Sequence, residues 1–113
     1  MCSPRSISHA VEASDRRVAL IASADMAHTF SADSHFGYDP AASQCDEAVI
    51  EAIQRQRLDS LLNLDPALII AAQTEAIEPL LVLHGATEGN PMQSEILSYE
   101  VPTYFGMLCV AYS

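Results

Sequence analysis

Residues 18–22 form an unbroken apolar run, Val-Ala-Leu-Ile-Ala, that gives way at once to Ser23, Asp25 and His28. A run of this length, rich in Val, Leu and Ile, suits a strand buried on both faces of a sheet, so a strand over residues 18–23 is expected. Ligands of α/β sheets bind beyond the carboxyl ends of strands, which makes His28 the first candidate for chemistry. Residues 24–39 then read as a loop carrying Asp25, His28, Asp33, His35 and Tyr38, with Gly37 supplying a turn. Loops of that length are more often functional than idle.

Asp39-Pro40 is a helix start, with Asp at the N-cap and Pro in the first turn. Ala42, Cys45, Val49, Ile50 and Ile53 give this helix an apolar face as far as about Arg57, opposite Glu47, Glu51 and Arg55. A short apolar turn or helix follows over residues 58–64. Asp65-Pro66 then repeats the start signal for a second helix. Pro79 breaks that helix, which places Glu78 at the N-cap of a new segment. Residues 80–83 fit a helix or a short strand, and His84-Gly85 has the form of a helix end closed by a left-handed glycine. A polar loop over residues 86–94, a strand over 96–101, a turn over 102–106 and a mostly buried strand over 107–112 complete the pattern. Residues 1–16 are a polar lead-in with one short helix, capped by Ser6 and turning Ile7, Ala10 and Val11 inward, with His9 on the surface. The expected class is α/β: part of a mixed central sheet flanked by helices, with residues 17–113 as the domain. Two or three strands leave an apolar edge open.

Charge narrows the partners. Fifteen acidic residues stand against five arginines and no lysine, a formal net charge of −10. With no basic patch to neutralise phosphates, neither a nucleic acid nor an anionic membrane is an expected partner. The three cysteines, Cys2, Cys45 and Cys109, are widely spaced and form no Cys-x-x-Cys pair, so neither a zinc knuckle nor a disulfide framework is indicated. Cys45 and Cys109 sit among apolar residues and are expected in the core. No signal peptide or membrane span is read, and a cytoplasmic protein is expected.

The chemistry-bearing residues fit no spacing motif: there is no His-Glu-x-x-His, nucleophile elbow, phosphate loop or dinucleotide fingerprint. Glu75 and Glu78 share a face if the helix continues through them. His84 stands at a helix C-terminus, where its cation is favoured. Tyr99 and Tyr104 flank Pro102.

The stretch Val18-Ala-Leu-Ile-Ala-Ser-Ala-Asp-Met-Ala-His28 resembles the strand and loop of class III extradiol ring-cleavage dioxygenases, the LigB-like or protocatechuate-dioxygenase β-subunit type. Three further pieces agree in order: Gln44-Cys45-Asp46, Thr74-Glu-Ala-Ile-Glu78 with the following Gly85-Ala86 turn, and Leu97-Ser-Tyr-Glu-Val-Pro-Thr-Tyr-Phe-Gly106 leading into an apolar strand. The resemblance covers most of residues 10–113 and matches the C-terminal half of the family domain. It implies Fe(II)-dependent insertion of O2 into a catechol-type ring. His28 matches the family's acid/base histidine, which stands beside the iron without ligating it. The carboxylate ligand falls on Glu78 or Glu75, and Thr103 or Tyr104 would orient the ring. Ala24 and Ala27 replace the family's usual Gly and Ser. The two iron-binding histidines belong to the N-terminal half, so a chain or segment supplying that half, or a homo-oligomer, is the expected partner, and the isolated chain is expected to be inactive. A non-enzymatic module of the Memo type and a small protein dimerising through its sheet edge are the competing expectations.

Overall fold

The computed structural model describes residues 4–90 and 92–113, with side chains from residue 6 onward. Cys2 and Pro91, which entered the cysteine count and the 86–94 loop, lie outside the described residues. The order is α1 (Pro4–Glu12), α2 (Ala41–Gln54), a 3₁₀ helix (Leu58–Asn63), α3 (Pro66–Ala72), α4 (Ile77–Thr87), β1 (Ser94–Glu100) and β2 (Met107–Tyr112). The architecture is mixed α/β, with a two-stranded antiparallel sheet as its β component among the described residues.

Local sequence accounts for most of these boundaries. Asp39 Oδ1 accepts from the Ala41 N–H at 2.8 Å and so caps α2, although Pro40, expected as the first helical residue, falls at the N-cap position itself. Asp65 Oδ1 accepts from the Ala67 N–H at 2.9 Å, with Pro66 opening α3 as expected. The apolar face read for α2 is the buried one: Ala42, Cys45, Val49 and Ile53 all lie inside. α2 packs on α3, the 3₁₀ helix and β1, while α4 packs on α1 and the 3₁₀ helix. The larger core cluster gathers Met26, Val49, Ile53, Leu58, Leu61, Leu80 and Leu83, and a smaller one joins Ala27, Ala42, Cys45 and Ala72.

β1 and β2 run from Ser94↔Tyr112 to Glu100↔Met107, with a register shift between Ile96 and Ser98. The shift has a consequence for the interior. Strict alternation from Ile96 would turn Ser98 inward and Tyr99 outward; the extra residue reverses the phase, and Tyr99 becomes a half-buried residue against the core.

Several expectations are corrected. Residues 18–23 form no strand, and Val18, Leu20 and Ile21 are 56%, 43% and 88% exposed. From residue 17 to 24 the backbone makes no backbone–backbone hydrogen bond among the described residues, because the two-stranded sheet offers no neighbour to pair with this run. Cys109 is exposed, since β2 buries only one face: Leu108, Val110 and Tyr112 point to the core. Ser6 lies within α1 rather than ahead of it, and Ala10 and Val11 are exposed. α4 begins at Ile77, with Glu78 and Pro79 in its first turn, where proline's missing N–H costs no helical bond; Glu78 is therefore not the N-cap. The helix also runs through Gly85, which is buried, to Thr87, and the only described glycine with positive φ is Gly37. Left-handed helix ends fall instead on Gln56 (φ 58°) and Gln73 (φ 51°).

Denaturation of two variants separates the exposed run from the core. Ile53→Ala, at a site 1% exposed, is expected to lose about 2–5 kcal/mol. Ile21→Ser is expected to stay within about 0.5 kcal/mol of the unaltered chain. Urea titration followed by circular dichroism measures both.

Candidate functional site

Beyond the exposed run, residues 25–30 are held on two sides. On one side they meet the end of α3. The last carbonyls of a helix have no partner within it, and here residues 28 and 29 supply the donors. The Thr29 hydroxyl donates to the Ala71 carbonyl at 3.0 Å. The His28 N–H donates to the Ala72 carbonyl at 2.9 Å. The His28 ring, through Nδ1, bonds the Gln73 carbonyl at 2.8 Å. Farther along, the Glu75 N–H and the Thr74 hydroxyl both donate to the Asp25 carbonyl. Gln73 reaches this arrangement with φ 51° and ψ 50°, a left-handed conformation that costs a side-chain-bearing residue about 1–2 kcal/mol.

On the other side the segment meets the turn before β2. The Gly106 N–H donates to the Ala27 carbonyl at 3.0 Å, and the Phe30 N–H to the Tyr104 carbonyl at 3.3 Å. A bridge between Phe30 and Tyr38 closes the loop, and Gly37 (φ 77°) makes its turn.

Under this segment lies Asp46, a carboxylate 1% exposed on the inner face of α2. Its Oδ1 accepts from the Ala27 N–H at 3.0 Å, and its Oδ2 accepts from the Tyr99 hydroxyl at 2.6 Å. Gly106 packs against the pair so closely that a Cβ there would collide with Asp46 Oδ2 and crowd the Tyr99 ring. Burial pushes the Asp46 pKa up, and it outweighs the opposing pull of the Tyr99 and Ala27 bonds and of His28. Burial, together with the bond to Asp46, raises the Tyr99 phenol as well. The adjacent Cys45 thiol is pushed up to about 11, first by burial and then by the Asp46 charge, which leaves it a protonated core residue rather than a nucleophile.

Aromatic rings surround His28. Its centroid lies 5.1 Å from Phe36, 6.0 Å from Phe105 in a stacked arrangement, and 6.5 Å from Tyr104. His35 lies tilted against Phe36 at 4.1 Å, and Phe36 stacks on Tyr104 at 5.6 Å. His28, Phe36, Tyr104 and Phe105 are all half-buried. They form an aromatic patch in which one imidazole is fixed by its Nδ1 edge.

The profile of the family described as the catalytic LigB subunit of aromatic ring-opening dioxygenase matches residues 5–109. The chain belongs to the LigB family. It is also 29% identical over 94 residues to Protein CA_C1420 of Clostridium acetobutylicum; the match takes in 83% of this chain and 20% of that protein. The chain therefore spans about a fifth of the length of that relative.

Of the LigB site residues expected from sequence, His28 and Tyr104 are brought together. Thr103 is exposed on the turn beside them. Glu75 is tied in only through its backbone, and both Glu75 and Glu78 expose their side chains. Among the described residues no three of His, Cys, Asp and Glu are grouped so as to hold a metal ion. None of the helices described is long and apolar enough to cross a membrane. Asp46, Phe36, Phe105 and Gln73 are not among the candidates the sequence puts forward; Tyr99 is, and its hydroxyl is taken up by Asp46. Asp46 was open to detection, because it falls among Ala42, Cys45, Val49 and Ile53 on the apolar arc of α2, where a carboxylate needs buried donors.

The sign of the Asp46 shift sets a pH dependence. Its folded pKa lies above its ordinary value, so between the two the folded state binds more protons than the unfolded chain. Stability then falls as pH rises through that window and levels off above it. Tyr99→Phe removes a bond that favours the carboxylate and should extend the window upward. Its expected loss is about 1.5–3 kcal/mol at pH 7 and smaller near pH 4. Asp46→Asn should flatten the dependence. Urea midpoints from pH 4 to 8 measure all three chains.

Proposed function

We propose that this chain is the His28-bearing part of an Fe(II)-dependent extradiol dioxygenase domain that opens catechol-type rings with O2, and that it is inactive by itself. The observation that carries the proposal is the placement of His28. Its ring is anchored on one edge by the Gln73 carbonyl and stands among Phe36, Tyr104 and Phe105, at the end of the stretch that resembles the family. Aromatic faces of this kind accept an aromatic ring by offset or edge-on packing. Histidine is the side chain suited to taking a proton from a phenolic hydroxyl and returning it to product near neutral pH. Tyr104, packed in the same patch, and Thr103 on the same turn would orient the ring.

The donors in this chain do not by themselves make an iron site. Among the described residues Glu75 and Glu78 are exposed carboxylates with no histidine pair beside them, whereas a mononuclear non-haem iron of this type takes two histidines and one carboxylate. In this proposal the histidines come from an N-terminal half, carried by another segment, another chain or a second copy, and Glu78 or Glu75 supplies the carboxylate. The exposed Val18, Leu20 and Ile21 favour association of this kind, and they equally support a second reading as a non-enzymatic interaction module.

Purified anaerobically with Fe(II) and offered catechols and O2, the chain alone should give no ring cleavage; turnover would defeat the half-site proposal. In a complete domain that includes the N-terminal half, His28→Ala should slow turnover about 10²–10⁴-fold with iron retained. Loss of iron in that variant would make His28 a ligand. A complete domain without iron or oxygen uptake would favour the interaction module.

A further inference from the structure

Three successive carbonyls at the end of α3 point at two successive residues of the loop: Ala71 at the Thr29 hydroxyl, Ala72 at the His28 N–H, and Gln73 at the His28 ring. The first two need only the ordinary end of a helix. The third needs Gln73 in the left-handed region, a conformation that side chains rarely adopt outside such ends. A carbonyl oxygen has no hydrogen to give, so a 2.8 Å contact at Nδ1 requires the proton to sit on Nδ1. In the neutral ring the lone pair is then on Nε2, the opposite edge.

We infer that Gln73 is a positioning residue: its left-handed backbone sets the tautomer of His28, holding Nδ1 as the donor and leaving Nε2 as the atom that exchanges protons. The part played by Nε2 in turnover rests on the dioxygenase proposal, whereas the tautomer does not. Nε2 accepts a proton into its lone pair to give the imidazolium and returns that same proton, while the Nδ1–H bond stays intact throughout. The ring cannot turn over to exchange its edges without breaking the Gln73 bond and disturbing its packing on Phe36 and Phe105.

The test uses the full chain labelled with nitrogen-15, without iron or substrate, at a pH where imidazoles are neutral. Long-range proton–nitrogen spectra distinguish a protonated ring nitrogen from an unprotonated one. His28 should appear as the Nδ1–H form, the reverse of the preference of a free imidazole side chain in water, while the exposed His9 keeps the usual Nε2–H form. Gln73→Gly accepts the left-handed conformation and should leave His28 unchanged. Gln73→Val resists that conformation through its branched Cβ and should shift His28 toward Nε2–H, with the amide spectrum reporting an intact fold. An Nε2–H His28 in the unaltered chain overturns the inference, as does a folded Gln73→Val in which His28 stays Nδ1–H. If Gln73→Val does not fold, the unaltered chain and Gln73→Gly decide: Nδ1–H in both upholds the inference, and Nε2–H in either defeats it. None of these outcomes depends on ring cleavage, so a failed dioxygenase proposal and a failed tautomer assignment are told apart.

Discussion

A carboxylate taken out of water has to be met by donors, or it loses several kcal/mol of hydration without return. Asp46 meets this requirement with groups far from it in the chain: an N–H 19 residues earlier, at Ala27, and a hydroxyl 53 residues later, at Tyr99. Those two bonds tie α2, the His28 loop and β1 into a single arrangement. The remaining local features follow from them. The register shift in β1 turns Tyr99 inward. Gly106 lacks a side chain because one would occupy the space of the Asp46–Tyr99 pair. Since Gly106 also bonds the Ala27 carbonyl, the turn that carries Tyr104 and Phe105 is set by the same contact.

His28 is thereby located from two directions. Asp46 and Gly106 fix the backbone at Ala27, and the end of α3 fixes the backbone and one ring edge of the next residue. A histidine on a loop of this length would ordinarily sample several rotamers. Here the helix end and the Asp46 contact restrict it, and the rings of Phe36, Tyr104 and Phe105 fill the space around it.

The helical parts were legible because their signals are local. Asp39-Pro40 and Asp65-Pro66 announce helix starts, and the spacing of Ala42, Cys45, Val49 and Ile53 fixes the buried face of α2. Gly37 was legible as a turn for the same reason. Two kinds of feature were not. Pro79 marks the start of α4 only loosely: proline sits comfortably throughout a first turn, so its presence does not fix the first residue. His84-Gly85 has the form of a helix end, yet Gly85 is a buried residue inside α4, and a glycine inside a helix carries no local mark that separates it from one at the end. The Asp46–Tyr99 pair depends on contacts across half the chain and on a bulge, neither of which periodicity reports. His28 was legible as a candidate from its position after an apolar run, but its partner, a main-chain carbonyl at Gln73, has no sequence signature.

Residues 18–22 are where pattern and placement disagree, and the disagreement is itself informative. Full burial of an aliphatic side chain contributes about 1.5–3 kcal/mol; Val18 and Leu20, 56% and 43% exposed, realise part of it, and Ile21, 88% exposed, little. Their backbone is also without ladder partners among the described residues. An apolar sequence with unpaired N–H and C=O groups matches the requirements of a strand inside a sheet. The hairpin does not meet them, although Val110 and Tyr112 line the same cavity as the run, because among the described residues no backbone bond joins the two. The run leads directly into Asp25–His28, so a strand laid beside it would lie next to the segment that carries the imidazole. Covering the run and completing the site would then be one event. Adjacency along the chain is why the proposed N-terminal half bears on His28: the atoms that would bury Leu20 and Ile21 would pack a few residues before it.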